Sequence, residues 1–230
     1  MFRFKQFSVA DERSTQKVCT DSVLLGAWAK LPTKGRILDV GTGCGVIALQ
    51  CAQRSDCRII GIDIHEPSVQ QAAENFNNSP WSDRLEALCI ALQEYYSGEA
   101  FDAVISNPPY FSNSLKSPFA LRNTTRHDEE LTLADFFQHS ARLLKPGGSL
   151  SVCLPAALYE RALTLASTNG FYPHTVLNVR GKEDIHPYLV LFSFETDPCL
   201  LVMDNLSIRN REGNYTEAYQ NLTRGFYLNF

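Results

Sequence analysis

The chain has 230 residues, 44% hydrophobic and 20% charged, with a formal net charge of −4, values of an ordinary globular protein large enough for one sizeable domain. No apolar run approaches the roughly 18 residues of a membrane span, and the opening Met-Phe-Arg-Phe-Lys-Gln-Phe lacks the apolar core of a signal peptide. The negative balance argues weakly against a nucleic-acid partner, and a cytoplasmic protein is expected.

The predicted elements alternate. Arg36–Val40 reads as a buried strand and Val46–Arg54 as a helix. Arg58–Ile62 is a second strand, and Pro67–Asn77 a helix with proline at its start and Asn-Asn-Ser-Pro ending it. Arg84–Cys89 and Phe101–Ser106 are the third and fourth strands. Leu133–Leu144 is a helix stopped by Lys145-Pro-Gly-Gly148, Ser149–Leu154 a fifth strand, and Pro155–Thr168 a helix closed by Asn169-Gly170. Strand-like runs near His174–Val179 and Tyr188–Phe194 have no long helix between them and fit a hairpin. Beyond Pro198 come another apolar run and a short helical stretch near Thr216–Thr223.

Such alternation predicts parallel strands joined by helical crossovers, with helices on both faces. The hairpin adds one antiparallel strand to an α/β sheet. Residues 111–131 carry no regular pattern, and loops of that length are functional or disordered in compact domains.

The seven cysteines (19, 44, 51, 57, 89, 153 and 199) have no metal-ligand spacing and read as reduced thiols, mostly in the core. No metal is expected. Charge is unevenly spread. Residues 61–100 hold seven of the 25 acids and one of the 21 Lys and Arg, leaving 20 bases against 18 acids elsewhere. A local basic patch is compatible with that remainder.

Asp39-Val-Gly-Thr-Gly-Cys-Gly45 follows the first strand and opens the first helix. In open α/β sheets, ligands bind beyond the carboxyl ends of the strands, where this turn sits. A dinucleotide loop needs G-x-G-x-x-G; here the third glycine comes one residue early and position 46 is Val. Asp39 before the glycines and Asp63 after the second strand suit S-adenosylmethionine. It has no pyrophosphate to cradle, but carries ribose hydroxyls for a carboxylate such as Asp63 and an ammonium that an acidic rim attracts. Cofactor-binding candidates are Asp39, Gly41, Gly43, Gly45, Asp63, Ile64, Ile90, Ala91 and Asn107. Many methyltransferases place an Asp at the position of Ala91 to accept from adenine, so only backbone contacts are expected there.

The fourth strand runs into Asn107-Pro108-Pro109-Tyr110, which resembles the catalytic motif of methyltransferases acting on exocyclic or planar amide nitrogens. Such a nitrogen is a poor nucleophile because its lone pair is delocalised. Hydrogen bonds to the Asn107 side-chain carbonyl and the Pro108 backbone carbonyl would orient it and stabilise the charge developing on it. Pro109 stiffens the corner, and Tyr110 offers a stacking face worth about 1–3 kcal/mol per base. The motif occurs in adenine methyltransferases, guanine-amino methyltransferases of RNA and release-factor glutamine methyltransferases alike.

Over nearly its full length the chain resembles the bacterial tRNA(Val) adenine-N6 methyltransferase family. The residues that carry this are Phe4-Lys-Gln-Phe7, Lys17-Val18 and Thr20–Ala29; Ile105–Phe111 and Thr125-Arg-His127; and Gly213–Tyr219 with Leu222–Leu228. The departures are Cys19, where glycine is expected, and Ala91. The resemblance implies a class I, Rossmann-like methyltransferase fold with a mixed seven-stranded sheet, mostly parallel with one antiparallel strand. It also implies a monomer that modifies the adenine beside the anticodon. The expected organisation is one domain: an N-terminal cofactor-covering segment (1–35), a core (36–197) and a C-terminal extension packed on it (198–230). Thr20 is expected near the cofactor's carboxylate, and Val23, Leu24, Leu25 and Trp28 in the core of a covering helix. Lys5, Tyr110, Phe111, Arg126 and His127 are the substrate-binding candidates, and Arg3, Arg13 and Lys17 are further bases placed to meet phosphates. A release-factor glutamine methyltransferase is the main alternative, although the short run before the first strand leaves little room for its separate helical domain.

Overall fold

A computed structural model describes residues 1–108 and 131–229. Its centre is an eight-stranded sheet. In chain order the elements are β1 (Phe2–Arg3), β2 (Ser8–Val9), α1 (Thr20–Trp28), β3 (Arg36–Val40), α2 (Val46–Arg54), β4 (Arg58–Asp63), α3 (Glu66–Asn77), β5 (Leu85–Cys89) and β6 (Phe101–Ser106). There follow α4 (Leu133–Leu143), β7 (Leu144–Pro155), α5 (Tyr159–Thr168), β8 (Tyr172–Lys182), β9 (Leu189–Glu195), β10 (Val202–Arg209) and α6 (Glu217–Thr223).

The strand order is β10-β8-β9-β7-β6-β3-β4-β5. Only β9 runs against the rest, paired antiparallel with both β7 and β8. The sequence expectation of one antiparallel strand therefore holds, and the count of seven is corrected to eight. The additional strand is β10, which pairs parallel to β8 from Val202↔Thr175 to Arg209↔Lys182. Its first four residues are exposed, so it joins the sheet through backbone pairing more than through burial of its side chains. Lys145–Gly148 is not a plain turn but a bulge within β7: Phe101 pairs with Leu144, and the next pair is Ala103 with Ser149.

Side-chain alternation divides the interior into two layers. On β9, Leu189 and Leu191 join Val23, Leu24, Leu49 and Phe76 beneath α1, α2 and α3. Val190, Phe192 and Phe194 point the other way, to Phe136, Phe137, Ala162 and Phe171 of α4, α5 and the turn after it. Val23, Leu24 and Leu25 of α1 are fully buried, as the core reading of that helix required.

The two ends of the chain meet. The Phe4 ring stacks on Phe7 at 4.6 Å and on Tyr227 at 6.1 Å between centroids, and meets Phe226 edge-on at 6.4 Å. The Lys5 amide donates to the Phe226 carbonyl at 2.8 Å.

Candidate active site

The carboxyl ends of β3, β4, β5 and β6 converge on one rim. The glycine turn sits at its centre, with Gly41, Gly43 and Gly45 at φ +69°, +55° and +81°, a region open to glycine at little cost. The three positions nevertheless do different things. A Cβ on Gly45 would lie 2.4 Å from the Phe76 ring, so this glycine lets α3 approach. A Cβ on Gly41 would meet nothing within 4 Å among the described residues, so its backbone borders open space where a ligand can lie.

Asp63 is tied to this turn. Its Oδ2 accepts from the Gly43 amide at 2.9 Å and its Oδ1 from the His65 amide at 2.9 Å. Two amides thus aim a half-exposed carboxylate whose remaining lone pairs are available for ribose hydroxyls. Ile64, next to it, is 62% exposed and offers an apolar surface at the rim. The Ile90 amide donates to the Asp63 carbonyl at 3.0 Å, which places β5's end against β4's. The Ala91 carbonyl accepts from the amides of Glu94 and Tyr95 and is committed to that turn. Cys89, exposed and 3.7 Å from the Ile64 carbonyl, completes this side; nothing in its spacing marked it.

Asp39 is fully buried. Its Oδ2 accepts from the Thr42 hydroxyl at 2.7 Å and the Ala48 amide at 3.2 Å, while its Oδ1 is buried with no partner among the described residues. Burial pushes its pKa up to about 7, against those two hydrogen bonds, with the Asp63 charge adding a little. Thr42 fits only because residue 61 is glycine: a Cβ there would stand 2.6 Å from the Thr42 hydroxyl. Gly61 and Thr42 organise the turn without having been singled out in the sequence.

Asn107 is held beside the turn by register. Val40 pairs with Ser106, whose hydroxyl donates to the Val40 carbonyl at 2.7 Å. The next residues on the two strands are Gly41 and Asn107, and Asn107 is buried to 7% exposure. Pro108 is buried too. Pro109, Tyr110, Phe111, Arg126 and His127 lie outside the described residues.

The N-terminal segment lies over the glycine turn. Asn75 exchanges hydrogen bonds with Ala10 at 2.8 and 2.9 Å and donates to the Cys44 carbonyl at 2.8 Å. Thr20 begins α1, whose Asp21 accepts from Tyr188 at 3.1 Å; Tyr188 immediately precedes β9 at the same sheet edge. Cys19 has φ −133° and ψ 166°, extended backbone that does not require the glycine expected there. Lys5 sits elsewhere, with Nζ 2.6 Å from the Arg224 carbonyl at the end of α6. Arg13 pairs with Glu74 and Lys17 donates to the Asp11 carbonyl at 2.8 Å; Arg3 is exposed.

The residues present fit S-adenosylmethionine. Open space borders Gly41, an aimed carboxylate stands at Asp63, an apolar rim at Ile64, and an unpartnered buried oxygen at Asp39.

Comparison with known proteins agrees. Residues 14–171 match the Methyltransferase small domain family. A tRNA1(Val) (adenine(37)-N6)-methyltransferase of Bacteroides fragilis is 38% identical over 99% of this chain and 97% of its own length. The one of Phocaeicola vulgatus is 41% identical over the same shares. Among solved structures, a predicted O-methyltransferase from Agrobacterium tumefaciens superposes with a TM-score of 0.70 over 90% of this chain and 96% of that one, at 17% identity; it shares the fold. On likeness running from end to end, the chain belongs to the tRNA1(Val) (adenine(37)-N6)-methyltransferase family, within the small-domain methyltransferases.

Proposed function

We propose that this protein transfers a methyl group from S-adenosylmethionine to the exocyclic N6 amine of an adenine in a tRNA anticodon loop, the adenine beside the anticodon of tRNA1(Val). The observation that carries the chemistry is the placement of Asn107 and Pro108 next to the Gly41 turn, set by the Val40–Ser106 pair. The relatives' printed names supply the substrate.

When bound, S-adenosylmethionine supplies an electrophilic methyl group on a sulfonium. Asp63 would accept from its ribose hydroxyls, and the Gly41 backbone and the Ile64 side chain would border it. The Asn107 side-chain oxygen and the Pro108 carbonyl accept the two N–H bonds of the adenine amine. That turns the nitrogen lone pair toward the methyl group and stabilises the positive charge that grows on nitrogen. After transfer the surplus proton leaves to solvent, so no general base is needed. Tyr110, as the stacking face, and Phe111, Arg126 and His127 are the substrate-binding residues of this reading. A loop adenine is cheaper to unstack than a paired one. The chain works as one domain and as a monomer in the cytoplasm; among the described residues no helix is long and apolar enough to cross a membrane.

The test is incubation with labelled S-adenosylmethionine and tRNA from a strain lacking the enzyme, followed by nucleoside analysis. N6-methyladenosine is the expected product. Label on a glutamine of a release factor, with none in tRNA, would overturn the reading.

A further inference from the structure

Strand polarity carries the transfer edge across the whole sheet. Pro155 pairs with Leu189, Val179 with Leu189, and Lys182 with Arg209. The end of β7, the β8–β9 hairpin and the end of β10 therefore share the edge that bears Asn107. From β6 to β8 there are three strand spacings, or about 14 Å. On that edge an open groove of about 590 Å³ is lined by Arg180, Glu183, Asp184, His186, Ser207 and Arg211 among others. Lys182 and Arg209, register partners, flank it and are exposed.

These cations are held in place. Arg180 donates to Asn205 at 3.1 Å, and Arg209 donates to the Gly213 carbonyl at 2.7 Å with its guanidinium 4.1 Å over the Tyr215 ring. Arg211 pairs with Asp184 through two of its nitrogens, both side chains being largely exposed. An exposed pair of this kind contributes little and exchanges readily for a phosphate, which a guanidinium grips in a fork. The opposite end of the sheet is β5, within the acidic window of residues 61–100. At the groove four cations, Arg180, Lys182, Arg209 and Arg211, outnumber the two carboxylates Glu183 and Asp184, so a polyanion on this edge is favoured at this end over the other.

Resting on the adenine reaction above, we propose that the groove between the β8–β9 hairpin and the end of β10 is the docking site for the tRNA phosphate backbone beyond the methylated loop. Arg180 and Arg211 bind phosphate directly, and Asp184 competes with it for Arg211. Arg209 and Lys182 add to the local field. The C-terminal Gly213–Tyr219 block then has a role outside the transfer site: it holds Arg209 and shapes the groove's margin.

The experiment compares wild type, the Arg180→Ala/Arg211→Ala double variant, Arg211→Ala alone and Asp184→Asn. KM for tRNA is measured over a range of salt, together with kcat and cofactor affinity. The double variant should raise KM for tRNA about tenfold and lower the slope of log KM against log salt by about 1 to 2, with kcat and cofactor affinity near wild type. Arg211→Ala, exposed and harmless to the fold, should give part of that change. Asp184→Asn should lower KM, since asparagine tolerates the φ of +66° found there. Wild-type KM and slope in both arginine variants would overturn the groove. Filter retention of tRNA without cofactor separates this from the chemistry. Binding that depends on these arginines in a protein that does not methylate adenine would uphold the groove and overturn the proposed reaction. Binding indifferent to them would overturn the groove alone.

Discussion

The Gly43 amide donates to Asp63 across the ends of β3 and β4 at 2.9 Å. One carboxylate thus both orders the glycine turn and faces the space beside it. Asp63→Ala removes a charge-assisted acceptor and loosens the turn together. Cofactor affinity should fall about 10- to 100-fold, read by titration calorimetry; unaltered affinity would contradict the ribose assignment.

Asn107 has a different signature. Its side-chain oxygen is proposed to act on the amine as charge develops, not on the cofactor. Asn107→Ala should lower turnover by about 100-fold or more while cofactor affinity stays near normal. Single-turnover kinetics with saturating cofactor measures this, and an unchanged rate would sink the role.

Gly61→Ala tests the turn from beneath. The new methyl would stand 2.6 Å from the Thr42 hydroxyl, and Thr42 can yield only by leaving Asp39. A loss of about 1–3 kcal/mol in urea unfolding is expected, accompanied by weaker cofactor binding. Full stability in the variant would show that the Thr42–Asp39 contact is dispensable.

Asp39 makes stability depend on pH in an unusual direction. In the folded protein it holds its proton up to about pH 7, whereas in the unfolded chain it loses it near pH ~4. The native state therefore binds more protons between those values, and this contribution to stability falls as pH rises from ~4 to ~7. Asp39→Asn should remove that component. Urea titrations of both proteins at several pH values in that window are the check, and parallel pH profiles would refute it.

Most of the elements were legible because their signals are local. Arg36–Val40, Val46–Arg54 and Phe101–Ser106 lie at their predicted positions, since a buried strand and a following helix announce themselves by apolar run, glycine turn and period. The proline, glycine and asparagine stops of α3 and α5 are equally short-range. Asp63 and Asn107 were legible for a related reason: each closes a buried strand, and strand ends are where an α/β sheet presents chemistry.

What local pattern does not encode is which distant segments meet. Gly61 carries no signal within its strand, and only the fold brings the Thr42 side chain of the glycine turn against it. The apolar run beyond Pro198 is visible in the sequence, but that it forms an eighth strand is set by its pairing with β8, a segment far from any local window. Lys5 reads from the sequence as a substrate-binding candidate, and only closure of the chain on itself shows that it lies against Arg224. The residue types for holding a methyl donor and a planar amine were thus set by the sequence alone. The tertiary structure decided how those residues are braced, and that the basic ends of β8 and β10 share an edge with Asn107. Pairing between strands far apart in the chain is fixed by the packing of the whole sheet, which no short window of residues contains.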